Sequence, residues 1–238
     1  MAAPPLVLVH SPLVGPSTWQ AVASEFRSRG RTVCVPSLVG AVDDGPPFYQ
    51  GFAERVHACM PVERAGGVVL AVHSGAGPLV PSVLQAAPVE IGAVVFVDAT
   101  LPHPGRAWFD SVPTEMAGEL RSLASGGILP PWQEWFEPAV LRELLPDAGS
   151  RAAFVAEVPR LPVDYFAEVA PNVPRWEGTR AGYLRLSEPY EGAAEEAARR
   201  GWPVRRYRGR HLSPVVEPAE VADAIDELLD LMENGEGG

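Results

Sequence analysis

The sequence predicts an α/β fold: a mostly parallel central sheet covered by helices on both faces, with an inserted helical cap. Short β-rich apolar runs alternate with helical patterns along the chain, the order that parallel strands joined by crossover helices require. The runs are continuously apolar, as strands buried on both faces are. At 238 residues the chain suits one large domain with an insertion.

The elements follow in order. "PLVLVH" (Pro5 to His10) reads as a buried strand, and "TWQAVASEFRSRG" as an amphipathic helix closed by Gly30. "TVCVPSL" is a second strand and "PFYQGFAERVHACM" a helix. "GVVLAVHS" is a third strand, with the helix "PLVPSVLQAAP" after it. "IGAVVFVDAT" (Ile91 to Thr100) is a fourth strand, "AGYLRLSE" a fifth and "VRRYRG" a sixth. "PAEVADAIDELLDLMEN" is the closing amphipathic helix, and the tail "ENGEGG" reads as frayed.

Residues from about 101 to 179 break this rhythm, and a plain crossover is far shorter. They hold helical patterns, many prolines and the aromatics Trp108, Phe109, Trp132, Trp135, Phe136, Tyr165, Phe166 and Trp176. This segment is expected to cap the C-terminal edge of the sheet, where open α/β sheets bind ligands. Its aromatics are expected either to form the cap's own core or to face the pocket.

Composition excludes several classes. Apolar residues are 47% and charged residues 21% of the chain, a globular composition. The net charge of −11 repels phosphate backbones, so nucleic acid is not an expected partner. No apolar run reaches the roughly 18 residues of a membrane span. Cys34 and Cys59 show neither metal-ligand spacing nor a paired framework, which points to a reducing compartment. The start "MAAPPLVLVHS" has no basic leader region, so a cytoplasmic protein is expected.

The chemistry gathers at "VVLAVHSGAG". Ser74 ends the third strand, and Gly75, Ala76 and Gly77 follow it. A sharp strand-to-helix turn displays a serine hydroxyl above a sheet, and close neighbours there must be small. The plain alternative is a helix N-cap serine on a tight turn. A serine nucleophile needs a base. His211 lies between the last strand and the last helix, on the same sheet edge. His57 sits within a helical pattern, His73 points away from Ser74 by strand alternation, His103 is in the cap's entry loop, and His10 holds loops together.

These segments carry a resemblance. "LVLVHSPLVGPSTW" resembles the first-strand motif of the capped, esterase- and hydroxynitrile-lyase-like α/β-hydrolases, "VHSGAG" their nucleophile elbow and "GRHLSPVVEPAEVADAI" their C-terminal histidine segment. The resemblance covers the chain except most of the cap, and the order Ser, acid, His agrees with it. It implies a Ser74–His211–acid triad without cofactor or metal. The acid usually follows the fifth strand, where Glu188 stands, and in some members the fourth, where Asp98 stands. Both remain candidates, with Asp98 favoured.

The chain departs from G-x-S-x-G, with Val72 and Ala76 at the glycine positions. It also departs at Pro12. An oxyanion hole takes one N–H after the nucleophile, here Gly75, and one from the first loop. Pro12 occupies that loop position and has no N–H, so the Ser11 hydroxyl or the Leu13 N–H must replace it. The expected function is hydrolysis of a small, largely apolar ester, lactone or thioester. The alternative is acid–base chemistry by the same Ser/His pair: a lyase, cyclase or isomerase of natural-product metabolism. The expected partners are a small-molecule substrate and a second copy in a homodimer.

Overall fold

A computed structural model describes residues 3–61, 67–173 and 176–234. The last four residues of the tail lie outside them. The chain runs β1 (Leu6–Val9), α1 (Ser17–Ser28), β2 (Val33–Cys34), α2 (Phe48–His57), β3 (Val68–His73), α3 (Val80–Gln85) and β4 (Ile91–Val97). Then come α4 (Thr114–Leu123), α5 (Pro138–Leu144), α6 (Ala148–Ala156), α7 (Asp164–Ala167), β5 (Ala181–Arg185), α8 (Glu191–Arg199), β6 (Val204–Arg206), α9 (Ser213–Val216) and α10 (Pro218–Asn234).

Among the described residues these strands form one six-stranded sheet in the order β2-β1-β3-β4-β5-β6. Every pairing is parallel, with Leu8 opposite Ala71 and Val95 opposite Gly182. The side-chain period of two splits each strand between two cores. Leu6, Leu8, Ala71, Val95 and Leu184 pack with Trp19 and Phe26 of α1 and Ile225 and Leu228 of α10. Val7, Val9, Leu70, Val72 and Phe96 pack on the other face with Phe52 of α2, Val83 of α3 and Ala194 of α8. A strand that serves two cores reads as a continuous apolar run, and that is why the sheet was visible in the sequence.

The edge strands are shorter than the apolar runs suggest. Pro36, lacking an N–H, follows β2 closely, and β6 ends on the exposed Arg205 and Arg206. The helix expected after Ser74 begins as a 3₁₀ turn, Ser74–Leu79, because Pro78 and Pro81 remove two of the donors an α-helix would use.

The segment between β4 and β5 is tied to the layers beneath it by two carboxylates. Glu157 accepts the Ser17 N–H at 2.8 Å. Glu168 accepts the N–H groups of Phe48 and Tyr49 at 2.7 and 3.1 Å. Neither α1 nor α2 has a local side-chain cap, since prolines precede both. The two glutamates satisfy orphan donors at those helix starts and place negative charge where the helix dipole favours it.

The cysteines differ from expectation. Cys34 on β2 and Cys59 beyond the end of α2 form a disulfide, with Cα atoms 6.0 Å apart. The chain leaves the sheet edge at β2, and α2 brings Cys59 back to it, a meeting that a separation of 25 residues does not encode. Closing a loop of that length contributes about 3 kcal/mol on the chain-entropy account. Reductant should therefore lower the unfolding midpoint by several degrees, and the Cys34→Ser/Cys59→Ser double variant should unfold at the lower midpoint with or without it. A wild-type midpoint indifferent to reductant would show that the bond contributes nothing to stability.

Candidate active site

Ser74 stands where β3 ends, with a left-handed φ of 57°. Left-handed backbone at a non-glycine residue costs on the order of 1–3 kcal/mol and persists only where the surroundings enforce it. Here they do. The Ser74 carbonyl accepts the Thr100 N–H at 3.2 Å. A Cβ at Gly77 would overlap the Thr100 carbonyl, and one at Gly75 would lie 2.8 Å from Ser11 Oγ. The small residues after Ser74 therefore let the loops after β1 and β4 close against the turn, and Val72 at the first motif position is simply core.

The structure brings Ser74, His211 and Asp98 together. His211 Nε2 is 3.0 Å from Ser74 Oγ, and His211 Nδ1 is 2.9 Å from Asp98 Oδ2. With Nδ1–H donated to the carboxylate, Nε2 is the acceptor for the serine proton. Asp98 is fully buried and, like Ser74, has a positive φ, 42°. Its Oδ1 accepts the Leu186 and Ser187 N–H groups at 2.7 and 3.0 Å, and its Oδ2 also accepts the Ser187 hydroxyl. Burial opposes its charge. The hydrogen bond and charge of His211 and the bonds from Ser187 outweigh burial and hold its pKa below the ordinary carboxylate range. Glu188, the other candidate acid, is exposed on a 3₁₀ turn. Beside it, just past β5, Ser187 serves as a donor to Asp98.

Three further side chains build the site. His73 is buried; its Nε2–H donates to the His211 carbonyl at 2.9 Å, and the two rings stack at 4.6 Å. Alternation turns His73 away from Ser74 as expected, but toward the backbone of His211. His10 holds loops, also as expected: its Nδ1–H donates to the Ser11 carbonyl and its Nε2 accepts the Leu38 N–H. The sequence reading missed Tyr190. Its ring lies parallel to His211 at 4.8 Å and 3°, and its hydroxyl is 3.3 Å from Ser74 Oγ. The signal available was weak: one tyrosine just past the fifth strand.

Burial keeps His10 and His73 neutral. It lowers the His10 pKa to about 4 and, with the charge of His211, puts His73 well below its ordinary value. The unfolded chain takes up both protons near pH 6.5, and the folded chain does not. Stability from these two groups is thus complete above pH 6.5 and is lost as pH falls. Between pH 7 and 5.5 the loss should be roughly 2–3 kcal/mol, read as a falling urea midpoint. A midpoint that stays level over that interval would show that the histidines are not held neutral.

The residues expected to supply oxyanion donors also lie together. The Leu13 N–H donates to Ser11 Oγ at 3.2 Å, which orients the Ser11 hydroxyl. Ser11, Leu13 and Gly75 all line a cavity of about 740 Å³ that opens onto Ser74 and His211. Trp108, Trp132, Trp135, Phe136, Tyr165 and Phe166 wall it, while Phe109 and Trp176 pack in the core. Both fates expected for these aromatics therefore occur. Met116, Leu123, Phe136 and Val140 are apolar wall residues left partly exposed, together with the exposed Glu119. Among the described residues no cluster of His, Cys, Asp or Glu could hold a metal ion, and no helix is long and apolar enough to cross a membrane.

No protein-family model and no curated protein matches the sequence. Solved structures do match. An extracellular α/β-hydrolase from a Paenibacillus species, described as sharing structural and functional homology with tobacco salicylic acid binding protein 2, superposes with a TM-score of 0.74. It is 20% identical, over 95% of this chain and 99% of that one. Tomato methylketone synthase I, bound to 2-tridecanone, gives 0.71 at 16% identity over 98% and 100%. A pyrethroid hydrolase from Sphingobium faniae gives 0.71 at 18% identity over 96% and 98%. Likeness of this extent at such low identity is likeness of fold: the chain has the α/β-hydrolase fold.

Proposed function

We propose that the protein is a cofactor-free serine hydrolase acting on a largely apolar ester, lactone or thioester. The hydrogen-bonded series Asp98–His211–Ser74 at the base of an apolar cavity carries this reading. Ser74 Oγ attacks the acyl carbon and His211 Nε2 takes its proton. Asp98 fixes the tautomer and stabilises the imidazolium that forms. The developing oxyanion receives the Gly75 N–H and the Ser11 hydroxyl, which replaces the donor missing at Pro12. His211 returns its proton to the leaving group, and water then releases the acyl group by the same route. The inserted segment acts as a cap whose apolar face selects the substrate. A volume of 740 Å³ admits substrates larger than the sequence suggested. The structural neighbours include proteins described as hydrolases and an esterase, which supports the reaction class.

Pro12 favours one second reading: acid–base chemistry at the Ser74–His211 pair without a covalent intermediate, in natural-product metabolism. A synthase of the same fold, tomato methylketone synthase I, is consistent with it. Intact mass after incubation with a fluorophosphonate probe separates the two. A single adduct on the wild type, lost in Ser74→Ala and His211→Ala, supports the hydrolase; no adduct on the folded wild type transfers the proposal to acid–base chemistry. A cytoplasmic location, expected from the sequence, would keep Cys34 and Cys59 reduced. The disulfide between them supports an oxidising compartment instead, and alkylation of free thiols at the moment of lysis tests it.

A further inference from the structure

The hydrolase reading leaves one polar group at the nucleophile without a role. Tyr190 has its hydroxyl 3.3 Å from Ser74 Oγ, and its ring lies parallel on His211 at 4.8 Å. Ser74 gives its own proton toward His211 Nε2, so its oxygen accepts from Tyr190, and the phenol is the donor. Burial raises the phenol pKa to about 12, so it remains a donor throughout the neutral range. Tyr190 thus contacts both the nucleophile and the imidazole that returns a proton to the leaving group.

We propose that Tyr190 is a further catalytic residue: at rest its hydroxyl donates to Ser74 Oγ, and in turnover it donates to the leaving-group oxygen. The inference rests on Ser74 acting as the nucleophile. In acylation the Ser74 Oγ–acyl bond forms as the serine proton passes to His211 Nε2. The bond from the acyl carbon to the leaving oxygen then breaks, and the proton passes from His211 Nε2 to that oxygen. Tyr190 keeps its own proton and contributes a hydrogen bond while charge builds on the leaving oxygen. Such a bond matters most where the departing alkoxide is strongly basic.

The test compares kcat/KM on methyl hexanoate and 4-nitrophenyl hexanoate, which share an acyl group and differ in the basicity of the leaving oxygen. Tyr190→Phe keeps the ring and its volume and removes only the donor. Its methyl-to-nitrophenyl ratio should fall roughly tenfold below the wild-type ratio, the order expected from one lost hydrogen bond. Tyr190→Leu removes the ring as well and should show the same fall in ratio on top of a larger loss common to both esters. An unchanged ratio in both variants overturns the proposal, whatever the common loss, because a merely structural role would slow both esters alike. Fluorophosphonate labelling of the wild type runs alongside. No adduct there overturns the nucleophile reading itself, a failure distinct from an unchanged ratio on an enzyme that labels.

Discussion

Ser74→Ala is expected to lower kcat on any ester the wild type turns over by roughly a million-fold, as removing the nucleophile of a triad does. The magnitude follows from the geometry. On the proposed mechanism Ser74 and His211 act as one unit across a 3.0 Å contact, and neither has a function in the covalent step without the other. His211→Ala should therefore cost about as much, and the double variant little more than either single one. Non-additivity is the informative part. Two losses that multiply would mean that the residues act separately and would remove the basis of the triad. Single-turnover kinetics alongside the fluorophosphonate mass shift measure both. A Ser74→Ala variant that keeps ordinary activity would leave Ser74 as the helix-start serine that its sequence context also allows.

The second large effect concerns the acid. Asp98→Asn should reduce kcat/KM roughly ten-thousand-fold, while Glu188→Gln should stay within about twofold of the wild type, as an exposed substitution away from the reacting atoms does. An asparagine Oδ1 can still accept the Leu186 and Ser187 N–H groups that Asp98 Oδ1 accepts, so the loop after β5 keeps its anchor. The amide –NH₂ would then face His211 Nδ1 in place of a carboxylate oxygen. That pairing favours the tautomer protonated at Nε2, which cannot accept the serine proton. The variant should remain folded and lose its base. Full activity in Asp98→Asn would remove Asp98 from the triad, and a large loss in Glu188→Gln would put the acid on the turn after β5.

Much of this was legible along the chain because it is local. The strands of the sheet are visible as apolar runs since each serves a core on both faces. The turn at Ser74 is visible because small residues cluster wherever backbones must approach closely. His211 is visible from the order of elements, because a loop between the last strand and the last helix of a parallel sheet returns to the strands' C-terminal edge. Pro12 could be recognised as a missing donor because the resemblance of the first-loop motif marks its position and proline has no N–H.

The rest depends on contacts between segments far apart in sequence. Sequence alone leaves Asp98 and Glu188 both as candidate acids; folding brings Asp98, at the β4 exit, to His211 and gives Ser187, just past β5, the task of holding it. Glu157 and Glu168 look like ordinary surface charges, yet each caps a helix more than a hundred residues away. Cys34 and Cys59 carry no spacing signal, and only the path of α2 along the sheet brings them within bonding distance. Tyr190 and His73 reach the site by stacking on His211, a relation of ring planes across three segments. By itself the sequence determined the parallel sheet, the display of Ser74 and the candidate base, because periodicity and residue size act over a few neighbours. Only the tertiary structure decided which carboxylate meets His211, the disulfide, the helix caps and the polar groups beside Ser74. Those follow from where distant loops meet at one sheet edge, and no local pattern of residues carries that information.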